Sequence, residues 1–339
     1  MSASRHRLCC DFAQMIHANR WARRGGKPLL AFSLSLFVCC VFSSSCGEPS
    51  LSEERALARL ERLVFVPTAV CVLGPAGLPT PSGLDCSNSH PLLVDRYEVT
   101  RHEWIGFLAR RDDPLGELGT AHWATWGSVG ATQPATFMTL EEAVEFAESE
   151  GMRIPSEREW LRISAGTRAQ PWPWGTSSAR SVANTMDLGL RGALEVGTFG
   201  AGATPSGVYD LVGNVREWTA PESSGQAQRF AGDSLTAAMG GSWLSRQRAL
   251  FAWGPTEGLS TSSLEVSVEH RAIDLGVRLV ADAGDFLRGE SAKWGSDHVA
   301  RARIVAVGER WGRAAVELLK REAQDGPVGI TWLLEGAER

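Results

Sequence analysis

The segment GVYDLVGNVREWT, residues 207–219, holds the side chains best suited to chemistry. Asp210 and Glu217 are carboxylates seven positions apart across a Gly213-Asn214 turn. Calcium takes about six to eight oxygen ligands, drawn from carboxylates and backbone carbonyls. A tight Gly-Asn turn can aim carbonyls inward, so the segment suits a hard cation. The same residues equally suit a capped turn with Glu217 in a surface ion pair. Arg248 and Arg278 are each able to bind an anion or to pair with a carboxylate. Trp123 and Trp126 lie in a stretch with Gly and His and are candidate ligand contacts, as is Arg248. Five histidines follow the N-terminal segment: His90, His102, His122, His270 and His298. None stands at a clustered metal-ligand spacing, and a lone histidine is more often a core or surface residue.

The N-terminus frames where this chemistry takes place. Basic residues up to Lys27 precede an apolar run from Pro28 to Phe42, then Ser43-Ser44-Ser45-Cys46. This order is that of a secretory signal peptide over 1–45. The run is shorter than the roughly 20 residues of a membrane-spanning helix. Cys46 after three small residues resembles a bacterial lipobox, which implies acylation of Cys46 and attachment to a membrane. Gly47 stands where an inner-membrane retention signal would place Asp, so the expected address is the outer membrane where the cell has one. Residues 46–61 begin GEPSLSEER after the cysteine and read as a polar tether. Cys71 and Cys86 remain for the body, as one disulfide or as two free thiols.

The first 45 residues carry six Arg or Lys and one acid; the whole-chain net charge of −5 therefore leaves about −10 on the rest. An acidic body argues against a nucleic-acid partner, because phosphate backbones need a basic surface. Leu63 to Gly74 reads as a strand interrupted at Pro67, and Leu92 to Thr100 as a second strand. Three capping boxes, Thr100/Glu103, Thr139/Glu142 and Ser156/Glu159, predict three short helices. From Thr167 to Val280 almost no helical period survives, which predicts ordered loops.

Seven motifs now stand in order: FVPTAVCVLG (65–74), VDRYEVTRHEW (94–104), GMRIPSEREWLRISAG (151–166), WPWG (172–175), GVYDLVGNVREWT (207–219), MGGSW (239–243) and LGVRL (275–279). The series resembles the formylglycine-generating-enzyme, or sulfatase-modifying-factor, domain across residues 62–285. The resemblance implies an α+β fold, a loop-rich variant of the C-type-lectin-like architecture. It implies a structural calcium held by Asp210, the Gly213 and Val215 carbonyls and Glu217. Asn184 matches an asparagine of a second calcium site. It also places Trp174, Trp218 and Trp243 in structural motifs.

The resemblance fails at the catalytic segment. Active members carry two cysteines after G-G-S-W, whose thiolates select Cu(I). Here those positions are Ser245 and Leu250. A hydroxyl is a hard, weak ligand and Leu is none, so copper chemistry is not expected. Related domains perform non-haem iron oxygenation through histidines; the scattered histidines here speak against iron. The expectation is a calcium-stabilised, non-catalytic module binding a protein, peptide or glycan; the alternative is a divergent oxidoreductase. Residues 286–339 form a C-terminal extension outside the motif series. Asp297 to Ala323 reads as one amphipathic helix, and Val328 to Leu334 as a strand.

Overall fold

Reciprocal capping opens four helices. In the computed structural model, Ser50, Thr100, Thr139 and Ser156 each accept the backbone N–H three residues on, while Glu53, Glu103, Glu142 and Glu159 reach back to the cap. They begin α1 (Leu51–Arg62), α2 (Arg101–Leu108), α3 (Leu140–Ser149) and α4 (Glu157–Ala165). The structure describes residues 50–70, 72–73, 84–85, 87–111, 130–166, 168, 170–176, 179, 181–221, 235–246, 263–322 and 328–337. The first box overturns the expected tether. Leu51–Arg62 is a helix that buries Leu57 and Leu60.

Three antiparallel strands form the central sheet, β1 (Leu63–Val66), β4 (Leu92–Asp95) and β9 (Val280–Asp282), in the order β1-β4-β9. β1 ends before Pro67, which has no N–H to give the ladder. All four residues of β1 and of β4 are buried. The reason is that both faces of the sheet are covered, which also explains the unbroken apolar runs. Leu63, Phe65 and Leu93 face a core shared with Leu57, Trp104, Phe146, Ile304 and Leu333. Val64, Val66 and Val94 face a second core with Trp160, Leu161, Leu211 and Met239.

A short antiparallel pair, β2 (Val72–Leu73) and β3 (Leu84–Asp85), stands apart. A second sheet runs β7-β6-β5-β8, with β5 (Arg216–Trp218), β6 (Leu235–Met239), β7 (Ser263–Ser267) and β8 (Leu275–Gly276); only β5 and β8 pair in parallel. Between α4 and β5 the described backbone has only short 3-10 turns, Met186–Leu188 and Gly200–Gly202, as the loss of helical period predicts.

The C-terminal residues correct two expectations. The single long helix is broken into α6 (His298–Trp311) and α7 (Arg313–Glu322), after α5 (Ala283–Glu290). Gly312 between them has φ 80°, which an α-helix cannot hold. The expected strand is instead α8 (Val328–Ala337). Its β-branched start misleads, because its packing is set by close approach to α6. A Cβ on Gly308 would lie 2.4 Å from the Leu333 carbonyl oxygen. Ile304, Val307, Ile330 and Leu333 belong to the same core as the central sheet. The C-terminal helices therefore extend that core rather than forming a separate appendage.

Candidate functional site

The loop after Val208 is built on three left-handed residues, Asp210 (φ 58°), Gly213 (φ 79°) and Asn214 (φ 53°). Gly213 is required by close packing, since a Cβ there would sit 2.3 Å from the Asn184 carbonyl oxygen. The loop is strapped on both sides. Asn214 donates its amide to the Asn184 carbonyl at 2.8 Å, and Gly213 to that of Gly240 at 3.0 Å. Trp243 in turn donates to the Asn214 carbonyl at 3.0 Å. Three distant motifs thus meet at one turn.

The side chains beneath this turn form a buried polar node. Asn214 accepts from Asn184 Nδ2 at 3.0 Å and the Leu194 amide at 2.9 Å, and donates to Glu98 Oε2 at 2.7 Å. Glu98 also accepts the Val215 amide at 3.1 Å. Arg278, fully buried, grips Glu217 through Nε at 3.1 Å and Nη2 at 2.6 Å. Its remaining donors reach the carbonyls of Asp95 and Tyr209. Trp160 Nε1 donates to Glu217 Oε2 at 2.7 Å.

Glu98, Asp210 and Glu217 are thus three buried carboxylates around one guanidinium. Burial pushes Glu98 well above the usual carboxylate range, and the negative charges of Asp210 and Glu217 push it further. Burial likewise raises Asp210 to about 6, against the hydrogen bond its Oδ2 accepts from Gly197. The node is short of positive charge.

This arrangement decides between the alternatives for Glu217 and Arg278. They pair with each other, in the interior rather than at the surface. Both oxygens of Glu217, expected as calcium ligands, accept hydrogen bonds from Arg278 and one also from Trp160. Asn184 packs against the Gly213-Asn214 turn, while Asp210 accepts the Gly197 amide. Asn184 Oδ1 and Thr185 Oγ1 are buried without a hydrogen-bond partner among the described residues, the condition of oxygens that fit a cation. Among the described residues, no group of three or more His, Cys, Asp or Glu could hold a metal.

Ser245 closes a tight turn. Its Oγ accepts the Ser242 amide at 3.1 Å, while Ser242 Oγ donates to Asp274 at 2.6 Å. His90, His102, His270 and His298 are all exposed and lie on separate segments. Trp172 and Trp174 stack at 5.0 Å. Cys46, Cys71, Cys86, Trp123, Trp126, His122, Arg248 and Leu250 lie outside the described residues. Glu98 is the residue that sequence reasoning missed. It stands in the quoted EVT motif, and a carboxylate inside an apolar strand-like run was the available signal.

Comparison with known proteins places these features. The family model of the sulfatase-modifying factor enzyme 1-like domain matches residues 51–283. Hercynine oxygenase of Mycolicibacterium smegmatis is 28% identical over 193 residues, covering 46% of this chain and 44% of that protein. The inactive C-alpha-formylglycine-generating enzyme 2 of Bos taurus is 30% identical over 122 residues, covering 33% and 38%. The chain spans less than half the length of these relatives. PvdO from Pseudomonas aeruginosa superposes with a TM-score of 0.49 at 19% identity, covering 65% of this chain and 94% of that one.

Proposed function

We propose a function from one premise: the chain belongs to the sulfatase-modifying factor enzyme 1-like domain family. Within that family we read it as a non-catalytic binding module, exported, anchored through Cys46 and braced by calcium. The carrying observation is Ser245. It stands at a family cysteine position, and its hydroxyl is spent on closing the 242–245 turn. Leu250 stands at the other. One similar protein is itself named as an inactive formylglycine-generating enzyme.

Asn184, Asp210 and the Gly213–Val215 backbone would hold the calcium. The ion would offset the surplus of buried carboxylates and meet the orphaned Asn184 oxygen. Its role would be to stiffen the turn that carries Trp243 and the adjoining surface. That surface exposes Met186, Leu190 and Leu244 on two loops joined by the bond from the Met186 amide to the Ser245 carbonyl. Such an apolar edge favours a protein or peptide ligand over a free sugar.

Export rests on the N-terminal sequence, and a Cys71–Cys86 disulfide would require an oxidising compartment.

Elemental mass spectrometry of the purified full chain, prepared without added metal or chelator, tests the reading. Calcium in near-stoichiometric amount, with neither copper nor iron, is the expected result. Stoichiometric iron or copper would restore the oxidoreductase alternative, for which the similarity to hercynine oxygenase speaks.

A further inference from the structure

At the edge of the central sheet the charge balance reverses. Arg96 donates its amide to the Arg62 carbonyl at 3.2 Å, one step beyond the Leu63–Asp95 pairing of β1 and β4. Arg310, on the last turn of α6, reaches over the same edge and donates through Nη2 to the Leu63 carbonyl at 3.2 Å. Both arginines are therefore tied to the end of one strand pair.

Most carboxylate oxygens of this region are already committed, although Asp95 Oδ1 is buried with no hydrogen-bond partner among the described residues. Asp95 takes Arg59 at 3.0 Å, Glu103 takes Arg62, and Glu61 takes Arg303 through both oxygens. Arg96 and Arg310 have no ion-pair partner among the described residues. Arg96 Nε is buried without a hydrogen bond among the described residues. Burial lowers the Arg310 pKa and the positive charge of Arg96 lowers it further, against an opposing pull from the Glu61 carboxylate. Two neighbouring arginines without an ion pair among the described residues are the less expected in a chain with a net charge of −5.

We propose that Arg96 and Arg310 form a binding site for a tetrahedral oxyanion, a phosphate or sulfate group, at the junction of α6 with the central sheet. Two planar guanidinium forks suit such a group, because each presents paired N–H donors to its oxygens. The anion would remove the repulsion between them and satisfy Arg96 Nε. The source is a free ion or the phosphate of a lipid headgroup. The site is independent of the proposed calcium and of the Ser245 turn.

Thermal unfolding of the full chain in inorganic phosphate, sulfate and glycerol phosphate tests the site, against sodium chloride at matched ionic strength. Chloride is the necessary reference, since screening alone weakens the repulsion. The expected result is a melting temperature raised by an oxyanion beyond the chloride control, with the extra rise lost in both Arg96→Gln and Arg310→Gln. Arg313→Gln, an exposed position nearby in sequence, should keep it. A larger response to glycerol phosphate than to inorganic phosphate assigns a headgroup, and the reverse a free ion; either upholds the site. No rise beyond chloride, or a rise retained in either variant of the pair, overturns it.

Discussion

The node beneath the Gly213-Asn214 turn and the rim where α6 meets the sheet are built from the same residue types with opposite balance. In the node, Glu98, Asp210 and Glu217 share Arg278, all of them buried. At the rim, Arg59, Arg62 and Arg303 pair with the local carboxylates, and Arg96 and Arg310 have no ion pair among the described residues. Burial makes the difference matter. An ion pair sealed from water is strongly destabilised when one partner is lost, whereas an exposed pair contributes little. The node should therefore govern folding and the rim should govern docking and ligand response.

Arg278→Met gives the largest expected effect. It removes the cation that faces three buried carboxylates and should cost about 3–5 kcal/mol, read by chemical denaturation. Arg303→Met, which breaks a partly exposed rim pair, should cost less than about 1 kcal/mol. Equal losses would break the comparison. Calcium sharpens it. Saturating calcium should stabilise the protein by roughly 2.7 kcal/mol at a hundredfold excess over its dissociation constant. Asn184→Ala should abolish that response, because it deletes the orphaned oxygen. A response that survives in Asn184→Ala would place the ion elsewhere.

The parts of this contrast were unequally legible in the sequence. Capping boxes are local, so Thr100, Thr139 and Ser156 announced their helices directly. The family motifs point to the turn and to Asn184, which the structure packs against each other. What stayed hidden was pairing between distant segments. Nothing near Glu217 in sequence reveals that Arg278, 61 residues on, will fill both its oxygens. A calcium ligand and an ion-pair carboxylate look alike in one dimension. Gly312 was passed over within a continuous apolar stripe, and α8 was misread because its helical state depends on α6 lying against it. Ser50-x-x-Glu53 was readable by the same rule as the other boxes. The polar composition around it suggested a tether, although Leu57 and Leu60 lay just beyond.

Gly308 tests how the rim is assembled. A methyl group there meets the Leu333 carbonyl oxygen, so Gly308→Ala should push α8 from α6 and cost about 1–3 kcal/mol. Gly289→Ala in α5, where an added Cβ meets nothing within 4 Å, should be neutral or stabilising by up to about 1 kcal/mol. Because Arg310 lies two residues beyond Gly308 on the same helix, the first variant should also weaken the oxyanion response. Retention of that response would show that Arg310 is placed by the sheet edge alone.

The smallest effect is a pH dependence of the rim. Hydrogen bonding from Arg303 holds the Glu61 carboxyl below its ordinary value of 4.5, against a smaller opposing effect of burial. A carboxylate depressed on folding adds stability that is present above its ordinary pKa and lost as the pH falls through the folded one. Wild type should therefore exceed Glu61→Gln by less than about 1 kcal/mol near neutrality, with the gap closing in acid. The node runs the other way, since burial raises both Glu98 and Asp210. Their contribution is largest in acid and declines as the pH rises. The wild-type curve alone would blend the two trends, so the measurement must be the difference between wild type and Glu61→Gln at each pH. A difference that stays constant into acid would mean that the Glu61–Arg303 contact adds nothing through its charge.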